Sequence, residues 1–180
     1  MGFGTQSERP DVDPLLAFIE NSTLSEGIRG SESLFAFPGI ITLHALGLAF
    51  LAGGSAAIDL RVLGFAPGIS LKAMARLLPV VWLAFAANAV SGTLLLIAYP
   101  TKALTNPLFY IKLCLVALAM GLVYRIGSTV LRHPDGGRSV AAGPKLLALA
   151  SLATWIALIT AGRFLAYTHT WELLGVRAIM

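Results

Sequence analysis

The stretch "LFAFPGIITLHALGLAFLAGGSAAI", residues 34–58, carries no charged side chain and a single imidazole, His44. Wound as an α-helix at about 1.5 Å per residue, it is long enough to cross a hydrocarbon core of about 30 Å, which takes about 20 residues. Three further runs match it, at about Leu77–Ala98, Pro107–Tyr124 and Leu146–Ala166. The composition agrees: 57% of the 180 residues are hydrophobic and 12% charged, where a soluble domain has about half and about a quarter. Lipid offers no partner for an open backbone, so helices are the natural spanning form. The period-2 alternation of a membrane barrel is absent. The reading is all-α: an integral membrane four-helix bundle with short N-terminal interfacial helices.

The breaks between the runs carry turn chemistry. "DLRVLGFAPGISLKAMAR" (59–76) offers Gly64, Pro67 and Gly68. "YPTKALTNP" (99–107) ends on Pro107, and "RHPDGGRSVAAGPK" (132–145) contains Pro144, both suited to helix starts. Residues 1–33 lack the apolar core of a cleavable signal peptide. "DPLLAFIEN" (13–21), with Asp13 as its cap, and "TLSE" (23–26), which matches a capping box, suggest one or two helices on the membrane surface. Three parts result: 1–33, an outer N-terminal segment; 34–166, the bundle; and 167–180, an outer tail.

Lysine and arginine set the orientation. Arg61, Lys72 and Arg76 lie in the first loop. Arg125, Arg132, Arg138 and Lys145 lie in or beside the third, and only Lys102 lies in the second. The positive-inside rule puts loops one and three in the cytoplasm and both termini outside. Tyr99, Phe109, Tyr110, Tyr167 and Trp171 then form an outer aromatic belt. Because these basic residues flank apolar runs rather than form one patch, the net charge of +4 reflects topology and not nucleic-acid binding. A single cysteine, Cys114, excludes an internal disulfide. No Ser-His-Asp set, phosphate-binding loop or H-E-x-x-H motif appears.

Polar groups inside spans are costly and mark functional sites by default. His44 is one; Gly47 and Gly54 follow on nearly the same face and leave room for a neighbouring helix or a flat ligand. Neutral imidazole is a good ligand for haem iron. The alternative is a histidine bonded to a serine or asparagine of the next helix. Asn88 lies at a similar depth, with Ser91 and Gly92 continuing its face, and an interhelical hydrogen bond is its simplest use. Lys112 and Arg163 lie shallower, near the outer ends of the third and fourth helices. They either snorkel to the interface or hold the acidic groups of a ligand, such as haem propionates. His169, His133, Met74 and Met120 are poorly placed as a second axial ligand.

Two segments carry a resemblance. "LHALGLAFLAGGSAAIDLRVLG" (43–64) resembles the first helix of copper-resistance D-type (CopD) and HemJ-like haem membrane proteins: a histidine, a small-Gly step, then an arginine, here His44, Gly53 or Gly54, and Arg61. "FYIKLCLVALAMG" (109–121) resembles the HemJ third helix, with its lysine at Lys112. Across most of the chain the likeness is to a family of small four-helix bacterial inner-membrane proteins. The resemblance implies haem b at His44 and a role for Lys112. The chain departs from the HemJ pattern at Leu51, where a tryptophan is usual, and at "GLVY" (121–124), where a histidine is expected.

Three functions compete. The first is a haem-b-binding membrane protein with a redox or porphyrin-related role, beside a quinone pool, its haem in the outer half and held by His44, Lys112, Arg163, Asn88, Gly47 and Gly54. The second is an accessory subunit of a larger bioenergetic complex or a homo-oligomer, suggested by Ala49, Gly53 and Ala57 at i, i+4 and i+8. The third is copper handling, for which Cys114 and the methionines form no visible cluster.

Overall fold

A computed structural model describes residue 14 and residues 18–19, 21–30, 37–131 and 141–173. Its elements are helices: α1 (Thr23–Gly30), α2 (Phe37–Leu63), α3 (Leu71–Ala75), α4 (Leu78–Ala98), α5 (Pro100–Leu104), α6 (Pro107–Ile126) with a π-helical continuation over Gly127–Leu131, and α7 (Ala142–Leu173). Four stretches are long and apolar enough to span a membrane: Phe37–Leu63, Leu71–Ala98, Pro107–Leu131 and Ala142–Leu165. The chain is an all-α multi-pass membrane protein. The end holding the 64–76 connection is termed inner, and the end at Phe37 and Ala98 outer.

Local chemistry fixes the boundaries. Helix α2 runs past Asp59, expected as the first loop residue, and stops in a Schellman motif. Phe65 N–H donates to Leu60 O at 3.0 Å and Gly64 N–H to Arg61 O at 3.1 Å, with Gly64 at φ +106°, a conformation that favours glycine. Arg61 then folds its guanidinium onto the carbonyls of Ile69 and Pro67 and closes the turn. Ser70 caps α3 by accepting from Ala73 N–H at 3.1 Å, and Asn106 caps α6 by accepting from Leu108 N–H at 2.9 Å. At α1 the cap is Ser22, whose hydroxyl accepts from Ser25 N–H at 3.3 Å, one residue before the Thr23 box expected. Most of "DPLLAFIEN" lies outside the described residues, as does the 132–140 part of the third loop. Helix α7 continues through the 167–173 segment that the sequence reading gave to the tail.

The bundle follows heptad-like stripes. On α2 the stripe is His44, Leu48, Leu51, Ser55, Ile58 and Val62; on α6 it is Lys112, Val116, Ala119, Val123, Ile126 and Val130. Both alternate steps of four and three, which keeps one face inward. On α4 the stripe is Val81, Ala84, Asn88, Ser91, Leu95 and Ala98, and on α7 it is Ala148, Ser151, Trp155 and Leu158. Helix α2 packs between α4 and α7, and α7 packs on α6, whereas packing of α4 on α6 is slight. Those two helices join at the inner end. There α3 packs on the π turn, and a Cβ at Gly127 would lie 3.2 Å from Leu78 Cδ1. The apolar core thins outward at Leu48, Phe85 and Val116.

Candidate functional site

The next inward-facing residues beyond that core are polar: His44 on α2, Asn88 and Ser91 on α4, and Lys112 on α6. His44 lies seven residues from Phe37, and Ser91 seven from Ala98, so the antiparallel α2 and α4 bring both to the same depth, about 10 Å below the outer ends. His44 Nδ1 stands 3.0 Å from Ser91 Oγ.

The surroundings of Ser91 favour one tautomer. The Ser91 hydroxyl has one proton, and it points along its own helix to Ala87 O at 2.8 Å, with Asn88 O at 3.2 Å. Such back-bonding is usual for a helical serine. Ser91 Oγ therefore accepts from His44, and Nδ1 is the protonated nitrogen. A neutral ring of that tautomer carries its lone pair on Nε2, and the ring also lies against the Asn88 backbone carbonyl. An imidazole whose Nδ1–H is held by a protein acceptor is a form in which histidine ligates a metal through Nε2.

Close packing supports the ring. A Cβ at Gly92 would lie 3.2 Å from His44 Cε1, so the missing side chain there gives the imidazole its seat. Gly47 faces Ala84 O and Asn88, each 3.4 Å from a virtual Cβ, and Gly54 faces Val81 Cγ2 at 2.9 Å. Both glycines let α4 approach α2, which is the helix-neighbour alternative of the two that the sequence left open. Asn88 Oδ1 is buried without a hydrogen-bond partner.

Lys112 is half-buried and lies within electrostatic range of His44. The only carboxylate between Phe37 and Leu131 is Asp59, near the opposite end of α2, so the spans give this ammonium no carboxylate at its own depth. Arg163 is exposed on α7, and no described contact joins it to the other groups. His169 lies on α7 with its side chain outside the described residues, and His133 lies outside them altogether. Cys114 is exposed. No three of His, Cys, Asp and Glu gather into a metal-ligand set among the described residues.

One buried polar residue lies where the sequence suggests a loop. Asp59 is 1% exposed and belongs to the helix rather than the loop. The signal was available: Asp59 follows Ser55 by four residues and precedes Val62 by three, which continues the inward face.

Comparison of the chain with known protein families, with curated proteins and with solved structures found no match.

Proposed function

We propose that the outer-half site of this membrane protein binds a haem-b-type cofactor through His44 Nε2, with Lys112 as the counter-charge for its acidic substituents. The observation that carries the reading is the 3.0 Å contact of His44 Nδ1 with Ser91 Oγ, a hydroxyl whose own proton has Ala87 O to bond at 2.8 Å; with Nδ1–H on Ser91, Nε2 keeps its lone pair. One imidazole does not hold a metal ion by itself, and no cluster of further protein ligands stands beside it among the described residues. A macrocycle that brings its own four nitrogens suits such a site. The slight packing of α4 on α6 leaves the fourth side of the bundle the least closed. Bound there, the group supplies one-electron chemistry; the protein holds the ring nitrogen, places a cation and excludes water. The likeness to HemJ-type helices points the same way. Arg163 enters this reading only if α7 turns, so Lys112 is the cation assigned. The basic inner loops put the inner end in the cytoplasm, as in a bacterial inner-membrane protein.

The test is the optical spectrum of protein purified from cells supplied with haem. A Soret band present in the native protein and absent from H44A is the expected result. Colourless, iron-free protein in both overturns it.

A second reading has its own observation. Ala49, Gly53 and Ala57 form an exposed small-residue face on α2, and nothing lies within 4 Å of a Cβ built at Gly53. Such faces pack helices closely in lipid, as an accessory subunit or homo-oligomer requires. Native mass measurement in mild detergent decides it, and a strict monomer removes it.

A further inference from the structure

The inner half of the bundle holds a separate group of buried polar atoms. Asp59 is 1% exposed, Ser151 0% and Trp155 3%. Ser151 and Trp155 are one turn apart on the same face of α7, which packs on α2. The Ser151 hydroxyl interacts with the Asp59 carboxyl. Even so, Asp59 Oδ2, Ser151 Oγ and Trp155 Nε1 all lack a hydrogen-bond partner of proper length and angle. Among the described residues, the other bonded serine and threonine hydroxyls of the spanning helices, from Thr42 to Thr160, donate to a carbonyl of their own helix. Ser151 is the exception. Buried polar atoms left without a bond of proper length and angle are the ones that an ordered water satisfies.

The donor set selects what bridges. Trp155 N–H only donates, the Ser151 hydroxyl does either, and a carboxylate only accepts. A bare cation satisfies Asp59 but turns away from the indole N–H. An anion satisfies the indole but is repelled by Asp59. A water molecule accepts from Trp155 and Ser151 and donates to Asp59, so all three demands are met at once. Along α2, Asp59 is fifteen residues from His44, about 22 Å, with Leu48, Leu51 and Ile58 between, so this group is independent of the outer site.

We propose that Asp59, Ser151 and Trp155 form a second site, a hydrated carboxyl in the inner half of the bundle, in which water bridges α2 to α7. It lies about one turn from the inner end of α2 and joins a carboxyl to an exchangeable solvent molecule within the span, the chemistry by which intramembrane acids serve as functional groups.

Radiolytic hydroxyl-radical labelling of the intact protein reads this directly, because an ordered water generates the radical where it sits. Trp155 is expected to be oxidised at exposures that leave Met120 intact; that sulfur is buried in the apolar cluster and needs no partner. In D59N and in S151A the labelling of Trp155 is expected to fall several-fold, while exposed Trp82 stays constant as the internal control. Either variant suffices if the other fails to fold. Trp155 as inert as Met120 in the native protein overturns the proposal. So does protection of Trp155 by sodium or potassium against a choline control, which would mean a cation occupies the place assigned to water.

Discussion

His44 Nδ1 and Ser91 Oγ stand 3.0 Å apart across α2 and α4, and with the serine proton on Ala87 O, 2.8 Å away, the histidine is the donor of the pair. The direction of this one hydrogen bond separates a structural histidine from a ligating one, and it gives S91A two distinct consequences. As an interhelical bond in lipid it is worth about 0.6 kcal/mol, a small shift in thermal unfolding of the detergent-solubilised protein. As the partner that fixes a ligand's tautomer it is worth about 10- to 100-fold in affinity. The expected outcome is a nearly native melting curve with a large loss of Soret absorbance per protein. Loss of stability with full retention of colour would reduce the pair to packing.

Gly92 is the seat of the same ring. A methyl there meets His44 Cε1 at 3.2 Å, so the imidazole must move by a few tenths of an ångström. G92A is expected to keep the fold while shifting the position of the Soret band, because the ring rotates about its Ser91 bond. G92V, with two more carbons, is expected to expel the ring from the α2–α4 interface and abolish cofactor binding. Absorption spectra of the two variants beside native protein check this. Identical bands in all three would mean the ring does not touch the cofactor.

The spans were legible because four apolar runs of spanning length in a chain with few charges admit few other structures. The polar ends of the inward stripes were legible too: His44, Asn88 and Lys112 stand out against lipid-soluble neighbours. What sequence alone did not carry was the pairing of faces. Gly47 and Gly54 could frame a ligand or a helix, and it is α4 that lies against them, through Ala84, Asn88 and Val81. Arg163 looked equivalent to Lys112 by depth, yet depth says nothing of azimuth, and on α7 it falls outside the buried stripe. Asp59 resembles a loop start because an arginine follows two residues on, whereas the Schellman turn at Gly64 carries the helix a full turn beyond it.

The α2–α4 interface itself yields a coupled pair. A Cβ at Gly54 would sit 2.9 Å from Val81 Cγ2, closer than carbon atoms pack, and Val81 is wholly buried. G54A is expected to destabilise the bundle by about 1–3 kcal/mol through overpacking. V81A made in the same chain removes the opposing methyl, so G54A/V81A should be more stable than the sum of the single variants implies, by about 0.5–3 kcal/mol. A double-mutant cycle from detergent-titrated unfolding measures the term. Simple additivity would show that α4 shifts as a body rather than meeting α2 at this point.

Lys112 separates stability from binding in the opposite sense to Ser91. It continues the apolar stripe of α6 outward from Val116, is half-buried, and has no carboxylate at its depth within α2–α6. Replacing it with methionine keeps an unbranched chain of similar reach and removes a charge whose desolvation costs free energy. K112M is therefore expected to melt at the native temperature or above it, and to lose retention of an acid-bearing cofactor on washing. K112R, which keeps the charge and adds a bidentate donor set, should restore retention. Equal retention in native protein, K112M and K112R would place this ammonium at the interface, snorkelling, with no part in the site.

Orientation follows from charge at the loops and is measurable without any cofactor. Arg61, Lys72 and Arg76 surround the inner connection, and the positive-inside rule assigns that end to the cytoplasm. In a C114A background, G68C lies in the exposed inner turn and T105C in the exposed outer one. A membrane-impermeant maleimide added to spheroplasts is expected to label T105C at once, and G68C only after the membrane is opened. The aromatic pairs Phe37–Tyr99, 5.5 Å between ring centroids, and Phe109–Tyr110, 5.7 Å, sit at the end expected to face outward, where amphipathic rings anchor a bundle at the headgroups. Labelling in the reverse order would invert the molecule, bring the His44–Lys112 site to the cytoplasmic half and the Asp59 site to the outer half, and require that any electron or proton partner be sought on the opposite side of the membrane.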